Sequence, residues 1–402
     1  MENKVVQSLV LYPEIIETKK SIKVLDTYKN LEWLLKHFKA DIRYNLMTRK
    51  REIEIPEFFI FPDDIENSAL AKIDYLATVN EMPTKKLDQH LDTIGGENAY
   101  HPIVNCIKAK EWDKKERLSD FIKTINSTNN ELAFKIIHTW MMAAIAAAHS
   151  VDGFVNHGVL VLQGAQGIGK TAWVKSLDPI NCNAVKEGAI LDPTNKDSII
   201  SLASHWIVEL GEIDATFRKA DVSRLKSFIT TQADDVRMPY ARRSMRLVRR
   251  TAYVATVNDE KFLTDDTGNR RWWTIQVKSI NYDHGFNMQQ VWAEAYHDWK
   301  VKGALTYLPT ELQQAVNESN REHEKLDPLV EKVLTIFDWA SPGRRELTVT
   351  EILNEMDYSK PTKNDLISMS KILTELNHKG CRKSNGLRLH EIPFRKYPTN
   401  FN

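Results

Sequence analysis

The sequence predicts an α/β protein with a mainly parallel sheet, and two observations carry that prediction. Between about residues 155 and 280, short runs rich in branched and aromatic residues (GVLVLQG, SHWIVELGE, RTAYVATVN and RRWWTIQV) alternate with helical stretches, as strands joined by crossover helices do. The first run leads directly into GAQGIGKT at 164–171, a glycine-rich turn placed between a strand and the helical AWVKSL.

The bulk numbers bound the rest. A chain of 402 residues has room for two or three domains, and 42% apolar with 27% charged residues is ordinary for a folded, water-soluble chain. The formal net charge of +1 gives no overall attraction to polyanions, so any nucleic-acid surface must come from local clustering. Cys106, Cys182 and Cys381 lie far apart and form no CxxC pair, which points away from a zinc knuckle or a disulfide framework and toward a reducing, cytoplasmic setting. Glu2 interrupts the positive charge that a signal peptide needs, so secretion is not expected. The apolar run WMMAAIAAA at 140–148 is shorter than a membrane span and reads as a buried helix, so no membrane partner is expected.

Taken in order, residues 1–64 form an N-terminal accessory region to which no chemistry is assigned; EIEIPEFFIF reads as a strand broken by Pro56. Residues 65–150 read as a helical subdomain. KEWDKKERLSDFIKTI places Trp112, Leu118, Phe121 and Ile122 near one helical face, and ELAFKIIHTWMMAAIAAAH makes a longer apolar helix. Residues 151–304 hold the sheet. Residues 305–402 run PLVEKVLTIFDWA, LTVTEILNEM and KNDLISMSKILTELNHKG, then the basic CRKSNGLRLHEIP, the order of helix, short turn, helix, helix and basic hairpin expected of a winged-helix-like α+β domain with Arg382, Lys383 and Arg388 near its wing.

Gly164, Ala165, Gln166, Gly167, Ile168, Gly169, Lys170 and Thr171 fit GxxxxGK[ST], the P-loop pattern, in its required strand–turn–helix context. The glycines let backbone N–H groups converge on a β-phosphate and the helix start adds positive dipole. In this pattern Lys170 reaches the β- and γ-phosphate oxygens and Thr171 ligates Mg2+, so ATP and Mg2+ are the expected cofactors. On the next strand, HWIVELGEID puts Glu209 at a carboxyl end, where Mg2+ sits, and Glu212 three positions on, where it can polarise the attacking water; the two roles are exchangeable. A third strand, TAYVATVN, ends in Asn258, whose amide can hold that water or the γ-phosphate. In KFLTDDTGNRRWWTI, Arg270 and Arg271 follow a Gly-Asn turn, and a guanidinium supplied from a neighbouring subunit would stabilise transition-state charge.

From Arg237 to Arg250 there are six arginines and no acid. That concentration in a nearly neutral chain is the electrostatic footprint expected for a phosphate backbone, with Tyr240 placed to stack on a base.

The order of P-loop, carboxylate strand, basic segment, asparagine strand and arginine turn resembles the superfamily 3 helicases, which are AAA+ hexamers. More closely, ELGE, PYARR, TVND, FLTDDTGNRRWW and the upstream YHPIVNCIKAKEWDKKERL resemble the virulence-associated E (VapE, VirE) family of phage, plasmid and pathogenicity-island proteins, over about residues 95–300. The resemblance implies an AAA+-like P-loop core and a homo-hexameric ring that hydrolyses ATP at subunit interfaces and draws single-stranded DNA through its pore. It assigns metal and water to Glu209 and Glu212, a sensor role to Asn258, and a finger acting in trans to Arg270 or Arg271. It also matches Lys226 to a basic position before the pore hairpin, where Arg237, Tyr240, Arg242, Arg243 and Arg246 would meet DNA. The acids are split as ELGE where many relatives have them adjacent, which leaves their division of labour open. The N-terminal part is too short for a primase domain, so any primase would be a separate protein. Two functions follow: a replicative DNA helicase, or a DNA-dependent ATPase that marks or melts origin duplex DNA and loads other factors. A small-molecule kinase fits poorly with the arginine-rich segment.

Overall fold

The computed structural model describes residues 11–19, 21–56, 65–179, 183–192, 194–211, 225, 227–237, 244–263, 269–324, 328–358, 360–377, 382–384 and 387–396. It divides into two compact units, Met1–Glu260 with Thr267–Glu322, and Lys261–Asp266 with His323–Asn402.

The first unit begins with a small lobe of β1 (Ile15–Thr18), β2 (Ser21–Val24), α1 (Tyr28–His37), β3 (Asp41–Asn45), β4 (Lys50–Glu54), α2 (Ile65–Val79), α3 (Leu87–Glu97) and β5 (Ala99–Tyr100). Here β3 lies between antiparallel β4 and parallel β5. Leu31, Leu34, Ile42, Ile73 and Leu91 form its separate core. β4 stops at Glu54, two residues before Pro56, which has no N–H to extend a ladder.

The larger part of this unit is built around one six-stranded sheet. It contains α4 (Pro102–Lys108), α5 (Leu118–Ile122), β6 (Ile125–Ser127), α6 (Asn130–His149), β7 (Val159–Gln163), α7 (Lys170–Ser176), β8 (Val185–Ala189), α8 (Lys196–Ala203), β9 (Ile207–Leu210), β10 (Ala233–Val236), β11 (Met245–Val248), β12 (Ala252–Val257), β13 (Trp272–Ile280), α9 (Met288–Lys300) and α10 (Thr310–Arg321). Six strands form one sheet in the order β6-β13-β7-β12-β9-β8, parallel throughout except for β6 at one edge. β7, VLVLQ, is buried along its whole length, as a central strand covered on both faces must be. The four strand runs read from the sequence are β7, β9, β12 and β13.

Helix α6 is 20 residues long and, by length and composition alone, apolar enough to cross a bilayer, but 72% of its apolar window is buried inside the fold. It belongs to the core. Indole N–H groups fasten it there: Trp140 Nε1 donates to Tyr253 O on β12, and Trp206 Nε1 donates to Ala144 O, both at 2.8 Å. Trp206 in turn meets Trp292 of α9 at 4.5 Å between ring centroids.

One expected helix is absent. Residues 111–117 form a loop, and the helical turn begins only at Leu118. Its backbone donors are taken by side chains that lie far away in sequence: Asp113 N donates to Gln290 Oε1, and Arg117 N and Leu118 N both donate to Glu294 Oε2. Gln289 and Gln290 donate in the opposite direction, to the carbonyls of Ile107, Lys110 and Glu111. Lys114 sits at φ 66°, a left-handed conformation that no helix accommodates. Gln290 and Glu294 thus stand in for carbonyls that a helix would have supplied to its N–H groups, and the Gln289 and Gln290 amides for N–H donors to its carbonyls.

His101 caps α4 by accepting from Val104 N at Nδ1, which requires that nitrogen to be unprotonated. Burial, reinforced by Arg250, His149 and Arg49, pushes its pKa down to about 3. The unfolded chain, with an ordinary histidine, binds the extra proton below about pH 6.5, so His101 supports the fold above that pH and the support drains away as the pH falls toward 3. We expect the unfolding free energy of the parent protein to fall more steeply between pH 6.5 and 4 than that of His101→Gln, by up to about 1.4 kcal/mol per pH unit. Parallel slopes would show that the imidazole is not held neutral.

The second unit contains α11 (Pro328–Ile336), β14 (Arg344–Thr348), α12 (Val349–Glu355), α13 (Lys363–Asn377), β15 (Arg382–Ser384) and β16 (Leu387–Pro393). Its sheet runs β14-β16-β15, all antiparallel, over a core that includes Val333, Phe337, Leu353, Leu373 and Ile392. LTVTEILNEM, expected as one helix, is divided: Arg344–Thr348 is strand and the helix starts at Val349, where Thr348 and Glu351 form a reciprocal capping box.

Candidate functional site

The glycine-rich turn lies at the carboxyl end of β7, in the middle of the sheet. Gly167 and Gly169 have φ of 84° and 91°, left-handed values that favour glycine. At Gly164 a Cβ would come within 2.5 Å of the Val277 carbonyl oxygen on β13, so the close approach of the two strands demands glycine. α7 begins at Lys170 and presents its amino end to the turn.

Lys170 is 7% exposed and its ammonium donates to Gly164 O (2.7 Å), Ala165 O (2.8 Å) and Asn258 Oδ1 (2.8 Å). Burial lowers its pKa, and the Glu209 carboxylate partly opposes that shift. Thr171 donates its hydroxyl to Glu209 Oε1 at 2.7 Å, and Thr256 on β12 donates to the same oxygen at 2.8 Å. The second Glu209 oxygen accepts from Gly188 N at 3.3 Å. A carboxylate 1% exposed is thus held by two hydroxyls and one amide. Because β12 lies between β7 and β9, their carboxyl ends deliver Lys170, Thr171, Asn258 and Glu209 to one place. Lys170, Thr171 and Asn258 border a cavity of about 560 Å³ that is also lined by Gln166, Gly167, Gly169, Ala172, Thr256 and Tyr282; Glu209 reaches it only through the Thr171 and Thr256 hydroxyls. Sequence reading missed Thr256 and Tyr282. The only hint of Thr256 was its position two residues before Asn258 on a strand, hence on the same face.

Other expected residues lie elsewhere. Arg270 and Arg271 occupy a short 3-10 turn at the amino end of β13. Trp272 pairs with Val159 and Gln276 with Gln163, so the turn is one strand length, roughly 16 Å, from the carboxyl edge that carries the P-loop. Burial lowers the pKa of Arg271, with Arg270 adding to the shift. Gly164, Ala165 and Ile168 belong to the turn, although the cavity lining does not include them. Glu212, Lys226, Tyr240, Arg242 and Arg243 lie outside the described residues.

The arginine-rich segment is not one surface. β10 and β11 form an antiparallel hairpin whose inner side packs Val236 and Leu247 on Ala203 of α8. Arg237 and Arg246 are exposed on it, and Arg246 Nη2 donates to Asp152 O at 3.3 Å. Arg249 instead turns inward, 2% exposed, forking onto Asp234 with Nε–Oδ2 at 2.5 Å and Nη2–Oδ1 at 2.8 Å. It also donates to Phe228 O and stacks 3.6 Å from the centre of the Phe228 ring. Arg250 donates to the carbonyls of Ser150 and Val151. Two of the six arginines therefore brace the hairpin's base, and the sequence-level count overstated the charge available to a polyanion.

Fold and site together define a mixed α/β protein whose mostly parallel sheet carries a glycine-rich turn, a buried lysine and a buried carboxylate at its carboxyl edge. Residues 107–325, more than half of the chain, match the virulence-associated protein E-like domain, and the chain belongs to that family. No curated protein matches it. Among solved structures, the apo structure of the NrS-1 C terminal region (305-718) is 14% identical, with a TM-score of 0.44 and coverage of 90% of this chain and 99% of that one. An A form apo structure of the same region is 13% identical, with a TM-score of 0.48 and coverage of 90% and 98%. These likenesses fall below a TM-score of 0.5.

Proposed function

We propose that this chain is an ATP hydrolase of the AAA+, superfamily 3 type: a P-loop ATPase that works as a homo-hexameric ring moving single-stranded DNA during replication of a phage, plasmid or pathogenicity island. One observation carries the reading: Lys170, Thr171, Glu209 and Asn258 converge at the carboxyl ends of three adjacent parallel strands, beside a glycine-rich turn in which Gly167 has nothing packed against its Cβ position.

In this reading the turn's N–H groups and Lys170 hold the β- and γ-phosphates, and Lys170 exchanges a carbonyl partner for phosphate oxygen. Asn258, already bonded to Lys170, orients the γ-phosphate or the attacking water. The Thr171 hydroxyl and the Glu209 carboxylate, 2.7 Å apart, would hold Mg2+, which neutralises phosphate charge when bound. Among the described residues no three His, Cys, Asp or Glu side chains form a metal cluster, which suits a cation that takes one or two protein ligands and completes its shell with phosphate and water. Glu212 remains the proposed partner for the water. Arg270 and Arg271 face the wrong edge of the sheet for their own site, so we assign them to a neighbouring subunit's γ-phosphate, which makes assembly a condition of turnover.

DNA is assigned to the β10–β11 hairpin: Arg237, Tyr240, Arg242, Arg243 and Arg246, with Lys226 before it. Replacing Arg242 and Arg243 by Ala should weaken single-strand binding and reduce the slope of log affinity against log salt by about 0.7 for each phosphate that the protein no longer neutralises. An unchanged slope would move the DNA-binding surface elsewhere. The second unit, with the basic β15–β16 hairpin and exposed Arg388, is proposed as a winged-helix-like module for origin duplex, and any primase as a separate protein. That hairpin favours the second reading, an origin-marking ATPase or loader, to the extent that duplex binds tighter than single strand.

The deciding experiment measures ATP hydrolysis with and without a single-stranded oligonucleotide, together with particle mass in the presence of nucleotide. Stimulation by the oligonucleotide and a six-subunit mass are expected. A chain that stays monomeric with ATP and hydrolyses it equally fast without DNA overturns the proposal.

A further inference from the structure

We propose that Tyr282 is the platform on which the nucleotide base stacks, and that this site therefore selects purine over pyrimidine nucleotides without distinguishing adenine from guanine. The inference rests on the phosphate-binding reading of the turn and deepens it.

Tyr282 follows β13, the strand beside β7, and lines the same cavity as Lys170, Thr171 and Asn258. Its ring lies against Gly169: a Cβ at that position would come within 2.3 Å of Tyr282 Cδ1 and 2.8 Å of Cε1. Thus Gly169 does two things, adopting a left-handed turn and making room for an aromatic ring at the lip of the phosphate cradle.

The ring sits on a fixed base. On one side Asn281 N donates to Thr124 O at 2.9 Å. On the other, His284 Nε2 and Ser176 Oγ share a hydrogen bond of 2.8 Å, and the His284 ring packs edge-on against Phe121 at 5.0 Å. Phe121 is stacked on Trp173 of α7 at 5.4 Å, and Trp173 Nε1 donates to Thr124 Oγ1, which closes the frame around the segment. Yet Tyr282 itself is 50% exposed, a large aromatic surface left open beside a cavity within an otherwise anchored loop. Ala172 also lines that cavity and presents only a methyl group, which leaves width for a flat heterocycle.

The chemistry of such a site is stacking. An aromatic ring attracts any base through its π-face, and the larger bicyclic purines gain more overlap than pyrimidines. With the phosphates held by Lys170 and the turn, Tyr282 is an exposed aromatic surface lining the same cavity.

The test uses the full chain and nucleoside diphosphates, which bind without being hydrolysed. Calorimetric affinities for ADP, GDP, CDP and inorganic pyrophosphate, each with Mg2+, are compared among the parent, Tyr282→Ala and Tyr282→Phe proteins. For the parent, ADP and GDP should bind within a few-fold of each other and tighter than CDP. Tyr282→Ala should weaken ADP and GDP roughly ten-fold, within the range seen for loss of one base–aromatic stack, and leave pyrophosphate unchanged; Tyr282→Phe should retain the parent affinities. Equal weakening of ADP and pyrophosphate would make the ring a mere brace for the turn. Tighter binding of both would make it a cover over the cradle, and no change would remove it from the base altogether. Each of these three results overturns the proposal while leaving the phosphate reading intact. Failure of the parent to bind pyrophosphate would instead defeat the phosphate reading itself, and the base platform with it.

Discussion

Lys170→Ala is expected to reduce ATP turnover to background, a loss of at least roughly 100- to 1,000-fold, the scale seen when a single preorganised donor to a developing charge is removed. The argument is geometric. The Lys170 ammonium reaches Gly164 O, Ala165 O and Asn258 Oδ1 from one position, so it joins the glycine-rich turn to the end of β12. Alanine keeps the start of α7 and removes both the charge and the link to Asn258. Because the surrounding core is built from β7, α6 and α9 rather than from this side chain, the far-ultraviolet circular dichroism spectrum should be unaltered. A Lys170→Ala protein that still hydrolysed ATP would show that the turn is not the phosphate site.

Arg249→Ala is expected to cost about 3–5 kcal/mol of unfolding free energy, the range for breaking one side of a buried ion pair. Arg249 is almost fully enclosed, and its removal leaves the Asp234 carboxylate, 18% exposed, without its two-pronged partner. It also strips a carbonyl bond and a guanidinium stack from Phe228. Lysine is a poor substitute, since a point charge cannot reproduce a planar fork. Urea unfolding of the parent, Arg249→Ala and Arg249→Lys proteins checks this. If Arg249→Ala lowered stability by less than about 1 kcal/mol, Arg249 would not be the brace of the hairpin base and would join the candidates for DNA binding. The contrast with Arg242 and Arg243 is direct: those replacements should alter DNA affinity and salt slope with little effect on stability.

Much of the candidate site was legible because its signals are contiguous. A turn of the form GxxxxGKT carries in eight residues the glycines, the lysine and the hydroxyl, and the strand before it and helix after it follow from local pattern. Glu209 and Asn258 were legible as polar residues closing apolar strand runs. Thr256 and Tyr282 were not. Each acquires meaning from a neighbour strand, Thr256 because β12 lies next to β9 and Tyr282 because β13 lies next to β7, and strand order is invisible to a reading made along the chain. The same limit explains two misreadings. Charge counting saw six arginines from 237 to 250 and could not tell that Arg249 faces Asp234 and Arg250 faces the carbonyls of Ser150 and Val151. Helical periodicity in residues 111–117 was real as a pattern, but its backbone donors found Gln290 and Glu294 instead.

The amino-acid sequence alone determined the α/β class, the strands at β7, β9, β12 and β13, and the glycine-rich turn between strand and helix, because each of these depends on side-chain periodicity and on backbone conformations set within a few residues. Only the tertiary structure decided which carboxylate partners Thr171, which arginines face inward, and which aromatic ring stands beside Gly169. Those are choices among hydrogen-bond and packing partners from 15 residues away, as for Arg249 and Asp234, to 176, as for Leu118 and Glu294, and a buried polar group takes whichever partner the fold brings within about 3 Å.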